Sequence, residues 1–304
     1  MTGPPRIFDR FLHAKRLTRA AGAYPQVNFL KRRAAEDLVA RLGPIRRDFA
    51  RALDLGARDG SFAQALHATP AASKLGRLFE ADLSLAMLAN RGGPSVVADE
   101  ERLPFAPASF DLVVSSLGLH WVNDLIGTLI QIRSILRPDG LFLGALLGGA
   151  TLTELRASLM AAETELLGGA GPRVSPFVDA IDAGALLQRS GFALPVVDTD
   201  RITVRYKQPF ALMRELRAMG EASALFDAPL KPLTRRVLSR ACEIYGERFA
   251  ASDGRITATF EIINLTGWAP HPDQPQPLRP GSAQTRLADA LRTAEQSAGE
   301  PTRP

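Results

Sequence analysis

The 304-residue sequence contains one cysteine, Cys242, and only four histidines. A single cysteine excludes an intramolecular disulfide and any zinc or iron–sulfur site built from several thiolates. Long apolar runs are also missing: the longest, roughly residues 140–152, is interrupted by glycines and is shorter than the ~20 residues that span a membrane. The first thirty residues lack the continuous apolar stretch of a secretory signal. We therefore expect a cytoplasmic protein without a membrane span.

Positive charge is concentrated at the start of the chain. Residues 1–51 hold twelve basic and four acidic side chains, a net charge of +8, whereas the whole chain carries +5. Such a stretch is most often a solvated helix face, but it can also dock an acidic protein or an anionic lipid. We expect no nucleic-acid partner, because the stretch lacks the pattern of interleaved aromatic residues that stack on bases.

Short apolar runs alternate with helical patterns from about residue 50. The runs predict strands at residues 50–55, 76–81, 95–98, 110–116, 140–147, 201–206 and 257–265. The helical patterns fall at residues 28–42, 61–69, 84–90, 124–136, 151–167, 179–190, 209–220 and 232–249. Asn28 is a candidate N-cap, and Thr151 with Glu154 forms a candidate capping box. Strands that are apolar on both faces predict an α/β fold with a mostly parallel sheet and helices on each side.

A glycine-containing turn follows the first predicted strand, in the run Asp54 to Ser61. Open α/β sheets bind ligands at the carboxyl ends of strands, and Gly56 and Gly60 allow the backbone to approach a ligand closely. The dinucleotide pattern G-x-G-x-x-G is not met, because Arg58 occupies its second glycine position, and the Gly-Lys-Ser/Thr ending of a P-loop is absent. Asp54 suits a ligand that carries an ammonium group. A tight structural turn would use similar residues, so both interpretations stay open here.

Acidic residues follow the next two strands. Asp82 lies 22 residues after Gly60, close to the spacing of ~20 for a carboxylate that binds ribose hydroxyls. Glu80 could compete for that role, and Asp82 could instead be a residue of the following helix cap. Asp99 and Glu100 follow the third strand, where a carboxylate can accept the exocyclic amine of adenine.

The order of these motifs resembles the class I S-adenosylmethionine-dependent methyltransferases over residues 50–150. The matching runs are DLGxxxG, xDxExLPF, SFDLVxS, LHWV and LRPxG. The resemblance implies S-adenosyl-L-methionine as cofactor and a Rossmann-like seven-stranded sheet. It implies roles at the methionine moiety (Asp54, Gly56, Gly60), the ribose (Asp82), the adenine (Leu83, Asp99, Glu100) and the floor below the sulfonium (Ser115). Arg58 departs from the family, which usually has glycine there, and would either pair with the cofactor's carboxylate or crowd the pocket.

Further runs are similar to the mitochondrial complex I assembly factor 5 family and its bacterial relatives. They are RIFDR near residue 6, FLK at residue 29, LMRELRAMGE at residue 212 and LTGWAPH at residue 265. A more distant likeness is to the malonyl-carrier-protein methyltransferase of biotin synthesis. The assembly-factor resemblance implies a different reaction, hydroxylation of an arginine in a complex I subunit, and such a subunit as partner.

Three functions therefore stay open. The first is methyl transfer to an unidentified acceptor, with His120 as candidate base, although the same residue could simply pack at a strand end. The second is protein-arginine hydroxylation in complex I assembly, which commonly needs iron held by two His and a carboxylate. His271 and Asp273 have a ligand-like spacing but lack an evident third ligand, so we predict no metal site. The third is a non-enzymatic adaptor.

The predicted organisation has five segments. They are a basic helical arm (1–45), a cofactor-binding core (46–208), a helical cap (209–256), the last core strand (257–269) and a Pro-rich, mostly disordered tail (270–304). In the cap, Arg214, Arg217 and Arg235 are candidates for recognising an acidic acceptor. If the chain docks a partner protein, the arm residues Arg16, Arg19, Lys31 and Arg32 and the cap would form the docking surface.

Overall fold

A computed structural model of the chain describes residues 6–89, 91–226, 232–275, 281–282 and 285–294. The chain divides into two units, Met1–Pro270 and His271–Pro304. The described part of the second unit contains a short helix, and the rest of the predicted disordered tail lies outside the described residues. None of the helices in the described ranges has both the length and the hydropathy needed to cross a bilayer.

Seven strands of the described chain form one sheet. They are β1 (Phe49–Leu55), β2 (Leu75–Asp82), β3 (Ser95–Val97), β4 (Phe110–Ser116), β5 (Leu136–Leu147), β6 (Ala193–Tyr206) and β7 (Ile256–Trp268). The strand order is β3-β2-β1-β4-β5-β7-β6. The first five strands pair in parallel, and β7 is antiparallel to both β5 and β6. The predicted Rossmann-like seven-stranded, mostly parallel sheet is confirmed.

Ten helices accompany the sheet in the described residues. They are α1 (Arg10–Ala20), α2 (Phe29–Leu42), α3 (Ser61–His67), α4 (Leu85–Leu88), α5 (Leu125–Ile135), α6 (Thr153–Leu167), α7 (Ala180–Arg189), α8 (Pro209–Ala218), α9 (Arg235–Phe249) and α10 (Leu287–Leu291). Each helix predicted from residue periodicity is present, with ends that differ by a few residues. The predicted boundaries between arm, core, cap and tail remain predictions.

The hydrophobic core lies in two layers, one on each face of the sheet. On one face, Leu38 of α2 and Leu155 of α6 belong to a cluster with buried sheet residues. On the other face, Ile132 of α5 and Leu187 of α7 pack with Leu53 of β1. All seven residues of β4 are buried, as expected for a central strand covered on both sides.

The basic arm contacts acidic residues of the chain itself. Arg41 of α2 forms a two-pronged pair with Asp198 of β6, with nitrogen–oxygen distances of 2.7 and 2.8 Å. Arg33 donates to Asp200 on the same strand at 2.7 Å. Part of the arm's positive charge is therefore neutralised by the edge strand β6. Lys31 is only 1% exposed, so its predicted place on a docking surface is wrong.

The predicted capping box at Thr151 and Glu154 is also wrong. The Thr151 hydroxyl donates to the carbonyl of Glu261, and Glu154 accepts from the backbone and hydroxyl of Thr259 on β7. These two side chains therefore fasten the start of α6 to the sheet instead of capping the helix. Asn28 occupies the predicted N-cap position of α2, and its carbonyl accepts the backbone N–H of Arg32 at 2.9 Å. Its side chain does not cap the helix, because the amide donates to Asp59 instead.

Replacing Glu154 with Ala should destabilise the fold by about 1–3 kcal/mol, because the N–H and hydroxyl of Thr259 lose their acceptor in a buried position. Urea unfolding of the purified protein measures the loss. Glu165→Ala on the same helix is the matched control, since Glu165 pairs with Arg240 in a half-exposed position and should cost well under about 1 kcal/mol. Equal losses in the two variants would contradict the assigned role of Glu154.

Candidate cofactor site

Two glycine turns meet where the strand order of the sheet reverses. β1 lies between β2 and β4, so the chain leaves β1 toward one edge and returns to β4 beside it. Gly56 follows β1 with a φ of +75°, in the left-handed region that favours glycine. A Cβ on Gly56 would lie 3.7 Å from the Cα of Gly118, which follows β4. The backbones at this switch point therefore approach each other closely, which is the usual place for a ligand in such sheets.

Asp54 is fully buried near the end of β1, close to a buried lysine. Within the described chain, neither oxygen of its carboxylate has a hydrogen-bond partner. The Lys31 ammonium of α2 donates to the carbonyl oxygens of Gly56 and Ser116, the latter at 2.6 Å. Burial raises the pKa of Asp54 to about 7 even though the charge of Lys31 opposes the shift. Burial also lowers the pKa of Lys31 to about 8, against the attraction of Asp54.

Asp82 ends β2 and forms a buried ion pair with Arg58. One carboxylate oxygen accepts the Arg58 backbone N–H at 2.9 Å and its Nη1 at 2.6 Å. The other oxygen accepts the backbone N–H of Ser84 at 2.8 Å. Burial would lower the pKa of Arg58, but the charges of Asp82 and Glu100 outweigh it and raise the pKa. The arginine is therefore a fixed cation inside the predicted ribose site.

The two acidic residues after β3 are also paired with an arginine. Arg10 of α1 donates to Asp99 at 2.7 Å and to Glu100, and it reaches the carbonyl of Trp121 at 3.2 Å. Asp99 and Glu100 therefore lie together, as the sequence predicted. Their charge is balanced by the N-terminal arm.

The remaining predicted cofactor residues lie around this cluster. Ser115 is fully buried in β4 and donates its hydroxyl to the carbonyl of Leu55 at 2.8 Å. Gly60 precedes α3 with a φ of +74°, and the Arg91 guanidinium covers it. Leu83 packs against the hydrophobic cluster formed by α1 and its neighbours. Its predicted contact with adenine stays a prediction.

A polar cluster adjoins the cofactor residues after β4. Glu221 accepts hydrogen bonds from His120 Nε2 at 3.1 Å and Trp121 Nε1 at 2.8 Å. The His13 ring of α1 stacks on Trp121, with ring centroids 4.4 Å apart. Burial, followed by the charges of Arg58 and Arg10, lowers the pKa of His13 well below its usual value. His13 is therefore neutral at physiological pH.

The ionisation of Glu221 is favoured by this cluster. Burial would raise the pKa of Glu221, but His120, Arg58 and the bond from Trp121 together lower it. The Nδ1 atom of His120 has no hydrogen-bond partner among the described residues. An anionic glutamate therefore fixes the orientation of the His120 ring through Nε2.

Two cavities adjoin Glu221, and the smaller one also adjoins His120. One, of about 20 Å³, lies between Tyr24, Lys31, His120 and Glu221. The other, of about 420 Å³, is bounded by α6, α8 and the arm. Its wall is mainly apolar and includes Leu30, Leu155, Met213 and Phe260. The charged groups on the wall are Arg16, Arg173, Arg217 and Glu221.

The residues present fit the amino-acid end of S-adenosylmethionine. Asp54 offers a buried carboxylate without hydrogen-bond partners in the described chain, which is the acceptor that an ammonium group needs. Gly56 and Gly118 bring two backbones close together at the turn, where the side chains of Glu100 and Arg58 also lie nearby. Asp82 has the carboxylate that a ribose needs, although Arg58 now contacts it.

The family assignment follows from comparison with known proteins. Residues 53–144 match the family described as a methyltransferase domain. The arginine-hydroxylase NDUFAF5 of Rattus norvegicus, a mitochondrial protein, is 42% identical over 94% of this chain and 84% of its own length. The chain belongs to the NDUFAF5 family of class I S-adenosylmethionine-dependent methyltransferases. S-adenosylmethionine is the cofactor of this class, so the cofactor prediction is confirmed.

Two further comparisons agree with this family. The malonyl-[acyl-carrier protein] O-methyltransferase of Laribacter hongkongensis is 35% identical over 83% of this chain and 86% of its own length. A putative methyltransferase from Bacillus halodurans shares the fold, with a TM-score of 0.53 at 15% identity, over 78% of this chain and 99% of its own. Four NDUFAF5 relatives cover 93–94% of this chain, against 83–89% for three of the acyl-carrier enzymes.

Sequence reasoning missed the buried polar side chains that the two N-terminal helices bring to the site. Arg10 and His13 lie on the buried face of α1 together with Leu17 and Ala20, at helical spacing. Lys31 lies on the buried face of α2 in the same way. The signal available in the sequence was a polar residue inside the apolar stripe of a helix. Such a residue is buried with the stripe and therefore indicates a specific polar partner.

The Asp54 carboxyl should make stability depend on pH in a defined direction. Its pKa rises from 3.8 in the unfolded chain to about 7 in the folded one, so the folded state binds the extra proton between these values. Raising the pH through this window therefore lowers the unfolding free energy of the wild type relative to Asp54→Asn. Urea unfolding at a series of pH values measures the difference. Parallel pH profiles for the two proteins would contradict a raised pKa at Asp54.

Proposed function

We propose that this chain transfers the methyl group of S-adenosylmethionine to an acceptor that enters through the 420 Å³ cavity between the arm, α6 and α8. The observation that carries the proposal is the position of His120 and Glu221. Glu221 borders both the large cavity and the small one beside Lys31. The acceptor space and the strand-end site therefore meet at this glutamate.

The proposed roles follow from the contacts described. Asp54 holds the cofactor's ammonium group, and Gly56 and Gly60 shape the turn around its methionine moiety. Asp82 binds the ribose, Leu83, Asp99 and Glu100 contact the adenine, and Ser115 lies below the sulfonium. When bound, the cofactor supplies a methyl group on an activated leaving group, so alignment of the acceptor provides much of the acceleration.

His120 acts as general base in this proposal when the acceptor must lose a proton. Glu221 accepts from its Nε2 and so fixes the ring, and this leaves Nδ1 as the proton acceptor. General bases of this kind contribute typically about 10²–10⁴-fold. If the acceptor is already deprotonated, the reaction needs no base and His120 only packs against its neighbours.

The large cavity favours an amphipathic acceptor. Its volume lies within the range of about 300–1,000 Å³ typical of small-molecule sites, and apolar side chains dominate its wall. Arg217 is exposed at this cavity, where it could recognise an acidic group. Arg214 and Arg235 are not among the residues that line it, and Arg235 borders a separate surface depression near Arg240. Of the three predicted arginines, only Arg217 is therefore assigned to the acceptor.

Arginine hydroxylation is the second candidate reaction. The observation in its favour is identity: several relatives named arginine-hydroxylase match at 38–43%, against 31–35% for the acyl-carrier methyltransferases. Hydroxylation would also need an oxidant. Among the residues described, no group of three or more His, Cys, Asp or Glu is placed to hold a metal ion. On this alternative the partner is a complex I subunit, as the family resemblance implies.

Location and partner follow from the choice between the two reactions. A small acceptor requires no compartment other than the cytoplasm, where we propose the protein acts. The NDUFAF5 relatives carry the word mitochondrial in their names, so a chain with their role would act where complex I subunits are assembled.

Two probes should separate the two reactions. The protein is incubated with methyl-tritiated S-adenosylmethionine and either malonyl-acyl carrier protein or an arginine-containing complex I subunit. We expect label in the first probe, and mass spectrometry of the second should show no gain of 16 Da. Oxygen addition to the subunit without methyl transfer to either probe would contradict the proposal and favour the hydroxylase.

Asp82→Asn should weaken binding of S-adenosylhomocysteine at least tenfold, because a neutral amide replaces a carboxylate that accepts two ribose hydroxyls. Isothermal calorimetry measures the dissociation constant. Asp111→Asn is the matched control, because Asp111 also accepts hydrogen bonds from a backbone N–H and an arginine. It lies at the amino end of β4, away from the strand ends that form the predicted cofactor site. Equal affinity in Asp82→Asn and wild type would contradict the ribose role.

Met213→Trp should block the acceptor cavity without affecting the cofactor. Met213 is half-buried and lines the cavity, so the larger side chain fills space that the acceptor needs. We expect kcat/KM for the labelled probe to fall at least tenfold while the dissociation constant of S-adenosylhomocysteine changes less than about twofold. Leu167→Trp, at an exposed position at the end of α6, is the control. Unchanged kcat/KM in Met213→Trp would place the acceptor elsewhere.

A further inference from the structure

Cations of the chain itself contact the polar groups that we assign to the cofactor. Lys31 donates to the carbonyls beside Asp54, and Arg10 pairs with Asp99 and Glu100. Arg58 pairs with Asp82. The ammonium, adenine and ribose positions therefore each have an internal cation nearby. Of the three, Arg58 lies most directly in the way of a ligand.

The Arg58 side chain folds back over the glycine turn. It is 1% exposed, and the Asp82 carboxylate that it contacts is fully buried. A Cβ on Gly56 would lie 3.8 Å from Arg58 Nη1 and 3.5 Å from Glu100 Oε1. The guanidinium thus lies between the turn after β1 and the end of β2. This is the volume that a ribose bound to Asp82 would need.

Counting hydrogen bonds leads to the same conclusion. A carboxylate offers about four acceptor sites. The backbone N–H groups of Arg58 and Ser84 fill two of those on Asp82, and Arg58 Nη1 fills a third. Two ribose hydroxyls require two sites, so only one remains for them while Nη1 stays in place. Both hydroxyls can bind Asp82 once the guanidinium has left.

The backbone at Arg58 has a conformation that glycine favours. Its φ is +53°, in the left-handed region that is unfavourable for a long side chain. The turn therefore has the backbone conformation that suits the glycine usual in the family. The arginine side chain is present without a change in that conformation.

We infer that Arg58 occupies the ribose position in the free protein, and that S-adenosylmethionine binds only by displacing its guanidinium from Asp82. This inference rests on the proposed ribose role of Asp82. Separating a buried ion pair is costly, so the displacement weakens the affinity for the cofactor. Arg58 thereby sets the cofactor concentration at which the enzyme becomes loaded.

The opposite role for Arg58 makes a different prediction. An arginine that pairs with the cofactor's own carboxylate would strengthen binding, and its removal would weaken it. The sign of the change in affinity therefore distinguishes a displaced side chain from a ligand contact.

The test is calorimetry of the full chain with S-adenosylhomocysteine and with S-adenosylmethionine. Arg58→Gly removes the guanidinium and suits the left-handed backbone, so we expect its dissociation constants to be at least tenfold lower than those of the wild type. The ligand-induced rise in Tm should be larger as well. Arg58→Asn, a short side chain that tolerates the same φ, should shift affinity in the same direction and replaces the first variant if that one does not fold.

Arg137→Ala is the matched control. Arg137 pairs with Asp111 at the amino end of β4, away from the glycine turn. It should leave the dissociation constants within about twofold of wild type if the ribose position alone matters. Equal or weaker binding by Arg58→Gly, with both proteins binding measurably, overturns the inference and leaves the proposed function standing. No binding by wild type or by either Arg58 variant at millimolar ligand overturns both.

Discussion

The buried carboxylates at the carboxyl ends of β1 and β2 constrain the rest of this structure. A carboxylate without water around it must be neutralised by protonation or by a cation with well-formed hydrogen bonds. Asp82 forms an ion pair with Arg58, whereas Asp54 has Lys31 nearby and a pKa raised to about 7. These acidic groups suit a positively charged nucleoside. Without such a ligand, cations of the protein itself must balance their negative charge.

The N-terminal arm supplies much of this charge. α1 contributes Arg10 to the residues after β3, and α2 contributes Lys31 to the carbonyls after β1 and β4. Other arm residues, Arg33 and Arg41, pair with β6 at the far edge of the sheet. Several basic residues of the first fifty positions thus pair with polar groups of the same chain, which composition alone does not reveal. Positive charge that suggests a docking surface is here partly buried within the fold.

The sequence predicted a mostly parallel sheet, the acidic residues at its edge and Arg58, but not the other cations. Residues after parallel strands must meet at one edge, which puts Asp54, Asp82 and Asp99 on the same edge. Arg10 and Lys31 come from helices far away in sequence, and their docking depends on long-range packing that local periodicity does not specify. The capping box at Thr151 failed for a related reason, because β7, which lies about one hundred residues later, offered both side chains other partners.

The arm is attached to the chain at a distant point. Phe8 forms a β-bridge with Leu225, and the backbone of Asp9 donates to Ala224. During synthesis the sheet strands β1 to β5 leave the ribosome well before residue 225, so their acidic ends emerge while this attachment for α1 does not yet exist. Before residue 225 has been made, the arm can be held only by contacts to earlier residues, such as the bonds of Ile7 and Phe8 to Asn123. The bridge at Leu225 is therefore added late in synthesis.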